Sequence, residues 1–323
     1  MRPKRQHYVP KFYLRQFSNF KDNEYLLVAY NKESQRPFNV NIENIALENY
    51  FYSLDEEETI EKLFSSFEGD FNIALTKLLE NEDIGHLNEK DKEVLAYFIA
   101  IQYLRTKEKR LQIGEIINTI VNIMGKNSDL KYQKDSVVIS EKSLRNFHID
   151  TIFNGFQKLA EIMTNKMKWK LCINNTDSPF WTSDNPCAIY NELEPEPFRG
   201  NLGFMCKGFQ LHFPLSSKLL LILINPDMKV SDLKKARWIN KEQLRIIEKA
   251  SKIKDINVID LIPDREYLSP DRIMFENNLQ VVSSTQFIFS KIKNFNVADK
   301  YLNEYPNYKS NQRKRIVTNH DNL

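Results

Sequence analysis

Glycine is scarce in this chain, at 8 of 323 residues. That shortage argues against glycine-rich phosphate loops, collagen-like repeats and flexible linkers. Neither a G-x-G-x-x-G nor a Walker sequence occurs, so nucleotide binding through those folds is not expected. Cysteine is rarer still. Cys172, Cys187 and Cys206 are too few and too irregularly spaced for a disulfide framework or a zinc ribbon, and they read as buried thiols of a reducing compartment. No C-x-x-C, H-x-x-x-H or H-E-x-x-H pattern is present, which removes the usual zinc signatures. Apolar runs such as Leu219 to Ile224 are far too short to cross a bilayer. The charged N-terminus has no apolar stretch of the secretory kind. These absences predict a cytoplasmic protein with no membrane partner.

What is present points to a globular chain. Apolar residues make up 41% and charged residues 28%, and the length suits one large domain or two modest ones. With 21 Phe and 14 Tyr, the core should be rich in aromatics. The net charge of +3 is unevenly spread. Arg2, Lys4, Arg5, Lys11 and Arg15 open the chain without an acid among them, Asp55 to Glu58 form an acidic knot, and Lys309, Arg313, Lys314 and Arg315 crowd the end. Basic termini suit contact with nucleic acid, and they also suit plain solvated tails.

Periodicity orders the chain into an α+β protein. Residues 23–30 are rich in β-formers, 31–34 are turn-like and 36–42 alternate apolar and polar, which together predict an N-terminal β-hairpin. Three long helices follow. Apolar residues from Ile60 to Leu79 recur at helical spacing. A second stretch, 89–124, starts at Asn88 with Asp91 as a capping box, stops at Gly125, and is bent or broken near Thr106–Arg110. A third, 141–167, is capped by Ser140 and carries Leu144, Phe147, Ile152, Phe156, Leu159 and Met163 on its apolar face. Beyond it come short strands at 169–173, 180–182, 187–190, 209–213 and 219–224, a helix at 231–253, a strand at 256–262, a short helix near 270–279 and a last strand at 281–290. The expected layout is therefore a single α+β domain over 1–308, helical over 56–168 and a mostly antiparallel β-sheet region with helical insertions over 169–291. A basic, disordered tail is expected at 309–323.

The densest segment is Gln6-His7-Tyr8-Val9-Pro10-Lys11-Phe12-Tyr13-Leu14-Arg15-Gln16-Phe17-Ser18, which packs aromatic, basic and imidazole groups around one proline. Read with Phe51-Tyr52-Ser53, with Gln102 and Arg105-Thr106, with Phe180-Trp181-Thr182-Ser183-Asp184-Asn185-Pro186 and with Phe213-Pro214-Leu215-Ser216, it resembles the uncharacterised DUF4238 family. The match runs over about 8–220. Such proteins are encountered in bacterial and phage-derived genomes, and the resemblance implies a link to antiphage defence without supplying a mechanism.

The same residues supply the candidate site. His7 titrates near neutrality and can act as general base or acid, while Arg5, Lys11 and Arg15 beside it would favour the neutral ring and bind an anion. If the segment is extended, Tyr13 and Arg15 share one face and Phe12 and Leu14 the other. Glu68 lies at the edge of an apolar helix face, where a carboxylate needs a partner or a task. Gln102 and Arg105 sit on one helix face, either in a site or in a structural network. Ser183, Asp184 and Asn185 would project from a strand end, or Asp184 would bond backbone N–H groups in a turn. His148 reads as a core histidine, and His212 is a weak candidate beside Asp184. His86 and His320 read as surface residues.

Two functions follow as expectations. One is a nuclease-like enzyme acting on nucleic acid or nucleotides, with His7, Glu68 and Asp184 as catalytic groups. Tyr13, Arg15, Gln102, Arg105, Ser183 and Asn185 would then bind substrate. No cofactor is evident, and Glu68 with Asp184 leaves room for a divalent metal without requiring one. The other is a non-enzymatic sensor of a phage component, in which these residues are scaffold. On either reading His7 and Arg15 should lie near the 182–186 loop.

Overall fold

The computed structural model of the chain describes residues 5–52, 57–126, 140–193, 202–233, 241–250 and 258–310. The opening segment forms a strand β1 (Arg5–His7), a helical turn α1 (Lys11–Leu14) and a 3-10 turn (Arg15–Phe17). Strands β2 (Asn19–Lys21), β3 (Glu24–Asn31) and β4 (Arg36–Asn41) follow, and β5 (Leu47–Asn49) returns to pair antiparallel with β1. Then come helices α2 (Glu57–Asn81), α3 (Glu89–Leu104), α4 (Lys107–Lys126) and α5 (Glu141–Lys166). The later half holds β6 (Lys168–Ile173), β7 (Thr182–Ser183), β8 (Ala188–Tyr190), β9 (Gln210–Pro214) and β10 (Leu219–Ile224). It ends with α6 (Val230–Leu233), α7 (Lys241–Ala250), β11 (Arg265–Tyr267), α8 (Pro270–Ser283), β12 (Phe287–Ser290) and α9 (Asn296–Glu304). This is the α+β architecture that the pattern predicts.

Two five-stranded sheets frame the core. One runs β11-β6-β10-β9-β8, antiparallel except for the parallel β11–β6 pair. Its centre is Leu219–Ile224, six buried apolar residues in a row, as expected of a strand covered on both faces. Leu219, Leu221 and Leu223 join the main core, while Leu220, Ile222 and Ile224 face Ile247 of α7 and Ile273 of α8. The other sheet builds on the predicted hairpin, β3 with β4, in the register Asn31↔Arg36. Its β3 also pairs with β2 and with β12, and β12 pairs with β7, so strands from both ends and the middle of the chain meet in it.

Helix α3 is the hub. Its Leu95, Phe98, Ile99, Ile101 and Leu104 are all buried, and Phe98 stacks on Phe71 of α2 with ring centres 3.7 Å apart. The capping box holds as expected: Asn88 accepts from Asp91 N, and Asp91 accepts from Asn88 N. Ser140 caps α5. The long second helix breaks at Arg105–Thr106, at the start of the stretch where the apolar pattern lapses, giving α3 and α4.

The opening segment departs from its extended reading. Pro10 sets an extended approach (φ −64°, ψ 143°), and the chain then turns helical. Alternating faces therefore do not apply, and Phe12, Tyr13 and Leu14 are buried in succession. The segment is a wedge between two layers: Phe12 meets Phe71 and Phe98, while Tyr13 stacks on Phe213 of β9 at 5.2 Å. Other expectations shift too. The helix continues through Gly125 to Lys126. In the region read as a strand at 256–262, the described part holds a 3-10 turn over Val258–Leu261. The strand read at 281–290 shortens to β12, because α8 runs on to Ser283. Helix α9 carries no prediction at all. Ile116, Ile120 and Phe147, expected on apolar faces, are exposed. Residues 234–240, 251–257 and 311–323, parts of the predicted helix at 231–253, strand and tail, lie outside the described residues.

His148 is the core histidine the sequence predicts, fully buried. Its Nε2 donates to Leu104 O at 2.7 Å, and its Nδ1 accepts from Arg110 Nε at 3.3 Å. Burial, with Arg110 beside it, lowers its pKa to about 3. The unfolded chain takes up this proton near pH ~6.5 and the folded chain only near 3. Stability is thus full above about 6.5 and falls as the pH drops, by about 1.4 kcal/mol per unit. Urea unfolding of the parent and of His148→Phe between pH 7 and pH 4.5 tests this: the slope should shrink in the variant, and equal slopes would remove His148 from the acid response.

Candidate functional site

Three elements wall a cleft of about 470 Å³. The first is the opening segment, where His7 ends β1 and Lys11 and Arg15, four residues apart, lie on either end of α1. The second is α2, which supplies Glu68 and Asn72 from one helix face. The third is Arg105, at the C-cap of α3. Arg5 and Tyr52 complete the lining.

Most of these groups are held. Arg105 donates from Nε to Tyr8 O at 3.0 Å and from Nη2 to His7 O at 2.7 Å, and Gln102 adds a bond from Nε2 to Tyr8 O at 3.0 Å. Spaced three apart, the two residues clasp the β1–α1 connection against α3. Lys11 pairs with Glu43 at 2.8 Å, and Arg5 donates to Asn44 Oδ1 at 2.9 Å. Two charged groups are left over. Arg15 is exposed, its guanidinium 5.0 Å from the centre of the Tyr25 ring, and among the described residues it makes no hydrogen bond or ion pair through its side chain. Glu68 is half-buried and has no such partner among the described residues either.

Burial raises the Glu68 carboxyl above the usual range, while Arg105, Lys11 and Arg15 pull it back. Burial lowers the His7 imidazole, opposed by the hydrogen bond to Ile42 O and assisted by Lys11. A carbonyl can only accept, so Nε2 of His7 donates to Ile42 O at 3.2 Å. In the neutral ring this leaves Nδ1 as the basic nitrogen. Among the described residues, the cleft thus joins four cations, one unpaired carboxyl and one imidazole. It can bind an anion and move a proton next to it. Such a donor set does not suit a divalent cation, and among the described residues no group of three or more His, Cys, Asp or Glu is placed to hold a metal.

Asp184 belongs elsewhere, which corrects its expected place beside His7 and Arg15. It is 1% exposed, and its oxygens accept from the amides of Thr285, Gln286 and Phe287 at 2.7–2.9 Å. Burial pushes its carboxyl up, and those amides with Lys32 pull it back. Ser183 is buried and donates to Gln280 Oε1 at 2.8 Å. Asn185 binds Ser283 and faces a different cleft, beside Tyr103 and Lys109. Tyr13 and Gln102 are fully buried, and Tyr13 is occupied with Thr182 Oγ1 at 2.8 Å and Pro214 O at 2.7 Å. His212 bonds Glu276 at 2.7 Å and does not reach Asp184. The metal pair Glu68–Asp184 therefore does not form. The structure brings together His7, Arg15, Glu68 and Arg105 from the sequence candidates. It adds Asn72, which sequence reasoning missed although its spacing from Glu68 could have shown it.

An α+β protein with a cationic cleft under its N-terminal wedge is the class that fold and site define. The chain belongs to the DUF4238 family, described as a protein of unknown function, whose model matches residues 5–294. Comparison with curated proteins and with solved structures returns no match.

The two carboxylates should respond oppositely to mutation. Asp184→Ala leaves three amides unsatisfied beside buried Lys32 and should lower the unfolding free energy by about 3–5 kcal/mol. Glu68→Gln replaces a half-buried carboxyl that makes no hydrogen bond among the described residues and should leave stability within about 0.5 kcal/mol or raise it. Urea titrations measure both, and a reversed order would exchange their roles.

Proposed function

We propose that the protein is a nuclease-like effector that acts on nucleic acid or nucleotides, with the substrate phosphate held in the His7 cleft. One observation carries this reading. In a cleft whose other described charged groups are held by hydrogen bonds or ion pairs, Glu68 and Arg15 stand in each other's field and neither has a hydrogen-bonding partner among the described residues. A carboxyl left unsatisfied near cations is the mark of a working group more than of a structural one. Arg15 and Arg105 hold the phosphate, and His7 and Glu68 exchange protons with it. The wider role in defence against phage rests on the family resemblance alone. Its test is the plating efficiency of phage on cells expressing the parent or His7→Ala.

A second reading has its own support. Arg105 and His7 both donate to backbone carbonyls, as members of a scaffold would, and the protein would then be a binding module without chemistry. Fluorescence anisotropy with labelled RNA, DNA and nucleotides over a salt series separates the two. The proposal expects binding that weakens with salt, a log–log slope about one unit smaller in Arg15→Ala, and turnover about 10²- to 10⁴-fold lower in His7→Ala. No binding to any phosphate ligand would remove the proposal. Binding without turnover, with His7→Ala merely less stable, would favour the scaffold.

A further inference from the structure

An aromatic pair stands beside the cleft: Tyr25 is half-buried against the main core, and Phe20, which packs on it, is left to solvent. Phe20 of β2 is 63% exposed. Its ring centre lies 4.9 Å from that of Tyr25, and Tyr25 carries the Arg15 guanidinium on its other contact at 5.0 Å. Flat groups therefore lead outward from the cleft in the order Arg15, Tyr25, Phe20. Single-stranded nucleic acids are held by this alternation, phosphate on cation and base on ring. A paired duplex does not offer its base faces in this way.

Inside the cleft the question is the nucleophile. Attack by water on a phosphodiester needs a strong activator, often a pair of metal ions held by several carboxylates. Among the described residues, Glu68 is the one carboxylate lining the cleft, facing four cations. RNA differs from DNA in bringing its own nucleophile, the 2′-hydroxyl, next to the phosphorus. An imidazole, a carboxyl and flanking guanidinium groups are enough for that reaction.

Resting on the nucleic-acid reading above, we propose that the cleft cleaves single-stranded RNA by internal attack of the 2′-hydroxyl, with His7 as the base and Glu68 as the acid. The 2′-O–H proton passes to His7 Nδ1 as the 2′-oxygen bonds to phosphorus. The P–O5′ bond breaks, and the departing O5′ takes the proton of the Glu68 carboxyl. The products are a 2′,3′-cyclic phosphate and a 5′-hydroxyl, and no water is consumed. The enzyme is left with a charged imidazole and a carboxylate, which return to their starting forms by exchange with solvent. Arg15 and Arg105 offset the charge on the phosphorane oxygens. Burial favours the starting form of both groups, because a neutral imidazole is the base and a neutral carboxyl is the acid.

The test uses the full chain in EDTA with three labelled strands of one sequence: RNA, its 2′-O-methyl form, and DNA. Binding is read by anisotropy, cleavage on gels, and the new ends by their response to phosphatase and kinase. All three strands should bind, and only RNA should be cut, with the cyclic phosphate at the new end. His7→Gln and Glu68→Gln should each slow cleavage about 10²- to 10⁴-fold while affinity changes by less than about threefold. Phe20→Ala should weaken binding of all three strands about tenfold. The 2′-O-methyl arm uses the parent protein, so it decides even if a variant fails to fold. Cleavage of DNA or of the 2′-O-methyl strand overturns the RNA mechanism and leaves the nucleic-acid reading standing, whereas binding of all three without cleavage overturns the RNA mechanism and favours the binding module. Binding of none overturns both.

Discussion

Two buried charges hold the ends of this chain together. Asp184 takes the amides of residues 285–287, and Lys32, 0% exposed, donates to the carbonyls of Val281 and Ser284 at 2.7 Å each. Between them they satisfy the peptide groups where α8 stops and β12 begins. Those groups could not otherwise be buried without cost. The 179–187 stretch closes the arrangement along one face of α8. Asn277 bonds Trp181 N and Pro179 O, Gln280 bonds Ser183 and Pro186 O, and Ser283 bonds Asn185 O. A residue from the N-terminal hairpin, a loop from the middle and the C-terminal strand are fixed by one clamp.

The cleft inherits its position from that clamp. Thr182, in the same stretch, bonds the hydroxyl of Tyr13, and Tyr13 also holds Pro214 O and stacks on Phe213. This seats the wedge against the sheet, while Phe12 seats it against α2 and α3. With both sides packed, the wedge cannot rotate, and Lys11 and Arg15 are left on the rim. The Gln102–Arg105 clasp then fixes His7. Rigid packing of neighbouring groups keeps the unpaired Glu68 and Arg15 apart at fixed places, the condition under which charge can be kept ready for a ligand.

Much of this was legible in the sequence. Helical periodicity, the Asn88 box, the Ser140 cap and the six-residue run of β10 gave the elements, because each signal is local. Burial of His148 and the helix break at Arg105–Thr106 were legible for the same reason. The separation of Asp184 from His7 was not. A carboxylate bonding backbone N–H groups was among the readings, but the amides lie about a hundred residues away in sequence, and no local pattern points across that distance. The helical form of residues 11–14 was hidden because a wedge buried on two sides has neither period. Ile116, Ile120 and Phe147 show the opposite error, since an apolar stripe does not say that anything covers it.

The contrast between Asp184 and Glu68 bears on how the site is read. Both are carboxylates displaced upward by burial, and by that measure they look alike. They differ in what surrounds them. Asp184 meets fixed donors that meet its needs in full, so its burial is a structural expense already offset within the chain. Among the described residues, Glu68 meets only the long-range field of Arg105, Lys11 and Arg15. Its lone pairs, or its proton, remain for something that enters the cleft. Satisfaction of hydrogen bonds separates the two more sharply than burial or displaced acidity, and on that ground the working carboxyl is the one on α2 and not the one in the motif-rich 182–186 loop.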